Sequence, residues 1–264
     1  MKFMYPNGKA KALTFSYDDN QIHDRKLVEI FDKYGLRGTF HMNSGQINHD
    51  GFIRSDEVKG LYRNHEVACH GVDHKNPTGL SRPQLVRELA EDRKALEEIT
   101  GSMVTGLSYA FGLYSPEVKD VAKSVGIKYS RTVNSTNGYF PPADFLEWNP
   151  TCHHDAPNLM DLGRGLLDAP DYIELPMMYV WGHSFEFARN NNWEVMEEFA
   201  KLMSGKEDVW YATNIELYTY ITAIRSLEYT MDGKVVYNPT AVTVYFEHNG
   251  NMLELASGET LTLA

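Results

Sequence analysis

The stretch Lys11-Ala12-Leu13-Thr14-Phe15-Ser16-Tyr17-Asp18-Asp19-Asn20 passes from apolar, β-branched and aromatic residues straight into three polar turn formers. Such a run predicts a buried strand that emerges into a turn carrying two adjacent carboxylates. A second short strand is predicted at Glu66–Cys69, and the His70 and His74 that follow it are spaced to lie on one side of a single helical turn. Either feature alone is weak, because tandem aspartates often only form turns and His-x-x-x-His pairs arise by chance. Two strands that each end in ligand-type residues predict one shared mouth. There the sequence spells a two-histidine, one-carboxylate metal site with a spare carboxylate. Three such ligands leave positions open for water and a substrate oxygen, and the spare carboxylate can take the water's proton.

Outward from this stretch, strands and helices alternate. Leu27, Ile30, Phe31 and Tyr34 recur at helical spacing, Gly35 stops that helix, and Gly38–Met42 is the next strand. Helices are predicted at 54–62, 83–99, 116–125, 193–203 and 215–224, and strands at 104–109, 127–130, 172–181 and 209–212. Alternation of this kind predicts parallel strands with a site at their carboxyl ends, where all the proposed ligands fall. Residues 132–157 are long, polar and punctuated by Pro141, Pro142 and Pro150, the composition of an active-site loop. The loop holds Trp148 and Cys152-His153-His154-Asp155. Adjacent histidines do not easily converge on one ion, so His153 or His154 is expected to contact substrate, or the loop is simply solvated. From residue 227 onward short strand segments alternate with Asp232-Gly233 and Asn249-Gly250 turns, which predicts a small antiparallel β appendage packed on the barrel. The expected division is therefore 1–226 for the barrel and 227–264 for the appendage.

Across residues 10–225 this pattern resembles the polysaccharide deacetylase family, carbohydrate esterase family four, with its chitooligosaccharide and peptidoglycan deacetylases. Residues Thr14 to Asn20 resemble that family's Thr-Phe-Asp-Asp-Gly motif with two residues inserted and Asn20 in the glycine place. His70 and His74 match its His-x-x-x-His, Gly38 to Asn43 its second strand, and Tyr179 to His183 its late histidine motif. The resemblance implies a distorted, seven-stranded (β/α) barrel of the α/β class. It implies Asp18 as general base, Asp19, His70 and His74 as ligands of one divalent ion, and His183 as general acid. Zinc is the expected ion, with cobalt or nickel as substitutes. Leu107 to Gly112 lacks the arginine of the third motif, although Phe111 stands where the family's tyrosine offers a backbone N–H to the oxyanion. Arg131, at the end of a predicted strand, either reaches the pocket in its stead or lies on the surface. Asp144 to Trp148 resembles the fourth motif, which makes Glu147 the carboxylate that orients His183. Tyr109, Trp148 and Trp181 are expected walls for a sugar face, or else core.

Composition agrees with one enzyme-sized unit. The chain has 264 residues, 42% of them hydrophobic, and a net charge of -11. That charge argues against nucleic acid, anionic membrane and polyanionic substrates as partners. No apolar stretch resembles a signal sequence or a membrane span, so a cytoplasmic location is expected, with Cys69 and Cys152 as free thiols. Oligomeric state is not legible. Three functions compete on these residues: an N-acetyl deacetylase acting on an oligosaccharide, a same-fold hydrolase of a linear or cyclic non-sugar amide, and a non-catalytic carbohydrate-binding protein. The missing third-motif arginine is the one feature in favour of the last.

Overall fold

The computed structural model describes residues 1–263. In chain order the elements are β1 (Lys2–Met4), β2 (Lys11–Asp18), α1 (Asp24–Tyr34), β3 (Gly38–Met42), α2 (Val58–Leu61), β4 (Glu66–Cys69), α3 (Arg82–Thr100), β5 (Gly106–Ser108), α4 (Pro116–Ser124), β6 (Tyr129–Arg131) and β7 (Cys152–His153). Next come α5 (Leu159–Leu167), β8 (Met177–His183), α6 (Ser184–Asn190), α7 (Trp193–Met203), β9 (Val209–Tyr211) and α8 (Asn214–Arg225). The chain ends in β10 (Glu228–Tyr229), β11 (Val235–Tyr237), β12 (Val244–His248), β13 (Asn251–Leu255) and β14 (Thr260–Thr262).

Seven parallel strands form one curled sheet in the order β6-β5-β4-β3-β2-β8-β7, and β9 joins the start of β2. The segment from Trp148 to His154 spans the remaining gap. Trp148 N–H donates to the Ser130 carbonyl at 3.0 Å on the β6 side, and Thr151 N–H to the Tyr179 carbonyl at 2.8 Å on the β8 side. The predicted active-site loop is thus partly barrel wall.

Strand alternation gives each side of the sheet its own chemistry. On β2, Leu13, Phe15 and Tyr17 face the helices, with the Phe15 ring 4.6 Å from Phe31 and Tyr17 5.9 Å from it. The intervening Thr14, Ser16 and Asp18 point into a barrel interior that is buried yet polar. Thr14 Oγ1 donates to Asn214 Oδ1 at 2.8 Å and Asn214 Nδ2 to the Tyr179 hydroxyl at 2.5 Å. Half-buried Glu66 closes the bottom, accepting from Tyr129 (2.6 Å), Thr39 (2.8 Å) and the Ile215 N–H (2.8 Å). These bonded groups survive burial because they satisfy one another.

Helices α5 and α6 were not legible. Gly163 and Gly165 weaken helix propensity in α5, which forms because Leu159, Leu162 and Leu166 are buried. The strand predicted at 172–181 lies later, as β8, after Pro176, which cannot donate to the ladder. The tail forms two three-stranded antiparallel sheets, β10-β11-β14 and β1-β12-β13. Val236, Val244, Phe246 and Leu255 share a second core with Tyr5, Tyr220 and Ile221. Strand β1, from the start of the chain, thereby belongs to a sheet of the tail. Cys69 and Cys152 are buried free thiols, and among the described residues no helix is long and apolar enough to cross a membrane.

Burial pushes the Glu66 carboxyl up to about 7, against the three donors that hold it. The folded state therefore binds this proton more tightly than the unfolded chain does. The resulting stability is full below the ordinary glutamate range and is lost as pH rises through about 7, with roughly 3 kcal/mol at stake. Denaturant unfolding between pH 5 and 8 should show that decline in the native protein and a flatter profile in Glu66→Gln.

Candidate active site

Two turns at the carboxyl ends of β2 and β4 bring the metal-ligand candidates together. Asp19 Oδ1 lies 3.6 Å from His70 Nε2 and 3.8 Å from His74 Nε2, the spacing of atoms that share an ion at bonds of about 2 Å. Asp19, Asn20 and His74 all adopt positive φ (76°, 36° and 54°), a strained backbone that the surroundings hold in place. Asn43 joins the two turns, donating its backbone N–H to Asn20 Oδ1 at 2.8 Å and Nδ2 to the carbonyls of His70 and Gly71 at 2.9 Å each. From helix α3, buried Asp92 accepts the N–H groups of His70 (3.1 Å) and Gly71 (3.0 Å), and Glu88 accepts that of Asp73 (2.8 Å).

The donor set fits a cation. His70 Nδ1 donates to the Ser108 carbonyl at 2.9 Å, so its proton is on that nitrogen and Nε2 carries a lone pair. That lone pair faces carboxylate oxygens of Asp18 at 3.7 Å and Asp19 at 3.6 Å. Acceptors turned toward one another in this way are stabilised by a positive ion among them.

Asp18 is buried, bonded by Ser108 Oγ at 3.1 Å and ion-paired with Arg131. Burial alone would raise its carboxyl, but Arg131, with His70, His41 and His183 behind it, carries it well below the usual range. Arg131 is thus no surface residue: from the end of β6 it reaches the same pocket as the strand ends that carry Asp18 and Ser108. The Trp181 ring covers its guanidinium, 4.4 Å from ring centre to Cζ, so that face of Trp181 is not open to a sugar.

His183 Nε2 lies 3.9 Å from Asp19 Oδ2, the oxygen other than the one nearest His70 and His74. Its Nδ1 and backbone N each lie 3.2 Å from Glu186 Oε2, at the first turn of α6. Burial alone would lower this imidazole; the Glu186 bond and the charges of Asp18 and Asp19 raise it instead. Glu147 does not orient His183 as expected. It is paired with Lys119, because the 144–148 segment turns toward α4. Glu186 was missed by sequence, although His183-Ser184-Phe185-Glu186 has the spacing of a capping box, with the carboxylate at its third helical position.

Other expected substrate walls are internal. Trp148 is fully buried against Tyr129, Phe145 and Tyr179. Tyr109 is also buried, its hydroxyl donating to the Leu146 carbonyl at 2.9 Å. Phe111, by contrast, is 60% exposed at a positive φ of 58°, its ring 4.4 Å from that of His74. His153 lies beside Glu186, 3.1 Å from Nε2 to Oε2. His154 is buried, stacked between Tyr17 (5.7 Å) and Phe187 (4.1 Å), and burial pushes its imidazole down to about 3.

With this geometry in hand, likeness to known proteins is informative. Residues 5–130 match the family model described as polysaccharide deacetylase, just under half of the chain. Arg131, His183 and Glu186 lie beyond the match. The Bacillus subtilis protein YxkH, whose name places it among the polysaccharide deacetylases, is 25% identical over 130 residues, 48% of this chain and 46% of its own. The chain thus spans less than half of that relative. Among solved structures, a Mycobacterium smegmatis protein assigned to the polysaccharide deacetylases superposes with a TM-score of 0.64 at 18% identity, covering 85% of this chain and 95% of its own. A family 4 acetyl xylan esterase from Clostridium thermocellum, solved with cobalt, gives 0.55 at 12% identity, covering 79% and 91%. Both share the fold.

Gly182, immediately before His183, has no side chain because the His154 ring occupies that space: an added Cβ would sit 2.0 Å from His154 Nδ1. Gly182→Ala should destabilise the protein by about 1–3 kcal/mol, the usual effect of overpacking. In a His154→Ala background the same change should cost little, which a double-mutant cycle of unfolding free energies measures. An equal cost in both backgrounds would assign Gly182 another reason.

Proposed function

We propose that this protein is a divalent-metal-dependent hydrolase that removes acetyl groups from N-acetylated sugars in oligosaccharide or polysaccharide chains. The observation that carries this reading is the placement of a buried, ionised carboxylate, Asp18, and a protonatable imidazole, His183, around the Asp19-His70-His74 cluster. Asp19, His70 and His74 would hold the ion, zinc by ligand type, which when bound acidifies a water and polarises the acetyl carbonyl.

The chain's own groups supply the proton transfers. Asp18 Oδ accepts the proton of the attacking water. Arg131 keeps that carboxylate ionised, and Ser108 fixes its orientation. His183, with Nδ1 on Glu186, turns Nε2 toward the cluster, where it donates a proton to the amine that leaves. The exposed Phe111 ring beside His74 offers an apolar face to the sugar or its acetyl methyl. The likeness to the polysaccharide deacetylase family model and the shared fold support deacetylation; the choice of a sugar amide over a non-sugar amide rests on that likeness. The non-catalytic reading loses its one support, because Arg131 pairs with Asp18 although the third-motif arginine is absent.

The neighbouring aspartates should separate cleanly. Asp18→Asn should bind zinc as the native protein does, while acetate release from N-acetylglucosamine oligomers falls by roughly two to four orders of magnitude. Asp19→Asn should bind zinc more weakly by calorimetry and regain part of its activity at high zinc. Retention of zinc by Asp19→Asn with its loss in Asp18→Asn would reverse the two roles. Native protein that binds zinc and releases no acetate from acetylated sugars, but hydrolyses small amides, would move the substrate class.

A further inference from the structure

Outside the metal cluster, the densest group of titratable side chains is His153, His154, Asp155 and Glu186, whose nearest ligand-type atoms all lie within 4.8 Å of one another. A second metal site does not fit the hydrogen bonds. His153 Nδ1 accepts the Asp155 N–H at 3.1 Å, which leaves the ring proton of the neutral imidazole on Nε2. The atom 3.1 Å from Glu186 Oε2 is therefore an N–H donor and not a free lone pair. His154 is packed face to face between Tyr17 and Phe187 and lies farther from Glu186, at 3.4 Å.

The same Glu186 oxygen accepts the His183 backbone N–H at 3.2 Å and lies 3.2 Å from His183 Nδ1. One carboxylate oxygen thus gathers His153 from the closing segment and His183 from β8. The turn after β7 makes this possible: Asp155 N–H orients the His153 ring, and the Trp181 ring, 4.7 Å away edge to face, blocks its far side. Arg189 reaches only the other oxygen, at 3.5 Å, and is largely solvent-exposed. A Glu186 side chain in the first turn of α6, three residues beyond the end of β8 at His183, has rotamers that miss the imidazole. The His153 donor selects the one that meets it.

We infer that His153 is a positioning residue: by donating Nε2–H to Glu186 it holds the carboxylate that orients His183 for proton donation to the leaving group. This rests on the reading of His183 as general acid. It assigns His153 of the closing segment a part in the reaction that needs no contact with substrate.

The test compares leaving groups. His153→Phe keeps a ring but removes the donor, and His153→Gln places an amide N–H where Nε2 stood. On N-acetylglucosamine oligomers, whose amine leaves only with a proton, His153→Phe should lower kcat by about ten- to hundredfold with KM nearly unchanged, part of what a positioned general acid supplies. On 4-nitrophenyl acetate, whose phenolate leaves unaided, the loss should be no more than about threefold. His153→Gln should recover most of the amide activity. Equal losses on both substrates, or a Gln variant as poor as Phe, would overturn the inference. Nitrogen-15 spectra of the labelled imidazoles read the same bonds without turnover, and so separate a failure here from a failure of the deacetylase reading. The native protein should show His153 protonated on Nε2 and His183 on Nδ1, and the His183 Nδ1–H signal should shift in His153→Phe. A His153 protonated on Nδ1 overturns the proposal whatever the activity.

Discussion

The pair between Asp18 and Arg131 is the constraint around which the barrel is organised. Both side chains are buried, and neither charge is affordable there without the other: removing one partner of such a pair typically costs about 3–5 kcal/mol. To meet, β2 and β6 must lie across the barrel from one another with their inward residues in register at the mouth. The Trp181 ring over Arg131, Ser108 on Asp18 and the closing segment beside β6 complete that enclosure. Below it, Thr14, Thr39, Glu66, Asn214 and Tyr179 bond to one another, so the interior is polar from base to mouth.

Around this centre, carboxylates do three different jobs set by their surroundings. Asp18 is ionised by its cation. Asp19, on a strained turn, faces three imidazoles with its oxygens. Asp92 and Glu88 on α3 face backbone N–H groups and fix the loop that carries His70 and His74. Buried Asp24 is a further brace, accepting from Ser184 at 2.5 Å and Tyr62 at 2.7 Å, and burial pushes it up to about 7. It ties α1, which follows the Asp18-Asp19 turn, to the helix that begins after His183. The geometry of the candidate site is thus held by packed helices and not by the loops alone.

The ends of β2, β4 and β8 were legible because strand-to-turn signals are local. The apolar run before Asp18, the β-branched run before His70 and the Trp-Gly-His sequence need only neighbouring residues to be read. What carries the ligands was read in the same way, as residue types at fixed offsets. The partners of those groups were harder. Glu147 seemed the carboxylate for His183 because of its place in a motif, but Lys119 draws it to α4. Glu186 does that job from the next turn of the chain. Tyr109, Trp148 and one face of Trp181 looked like sugar walls, since an aromatic near a loop reads alike whether it faces solvent or core.

Sequence by itself determined the alternation of strand and helix, the site at the carboxyl ends of the strands and the residue types gathered there, because periodicity and turn chemistry act over a few residues. Tertiary structure decided which charges pair. Arg131 reaches Asp18 only because β6 curls around to face β2, and His153 reaches Glu186 only because the chain leaves the wall of the barrel beside β8. It also decided that β1 joins the tail through β12, a pairing across nearly the whole chain. Contacts of that kind depend on how the sheet closes, and closure is a property of all the strands together and of no segment alone.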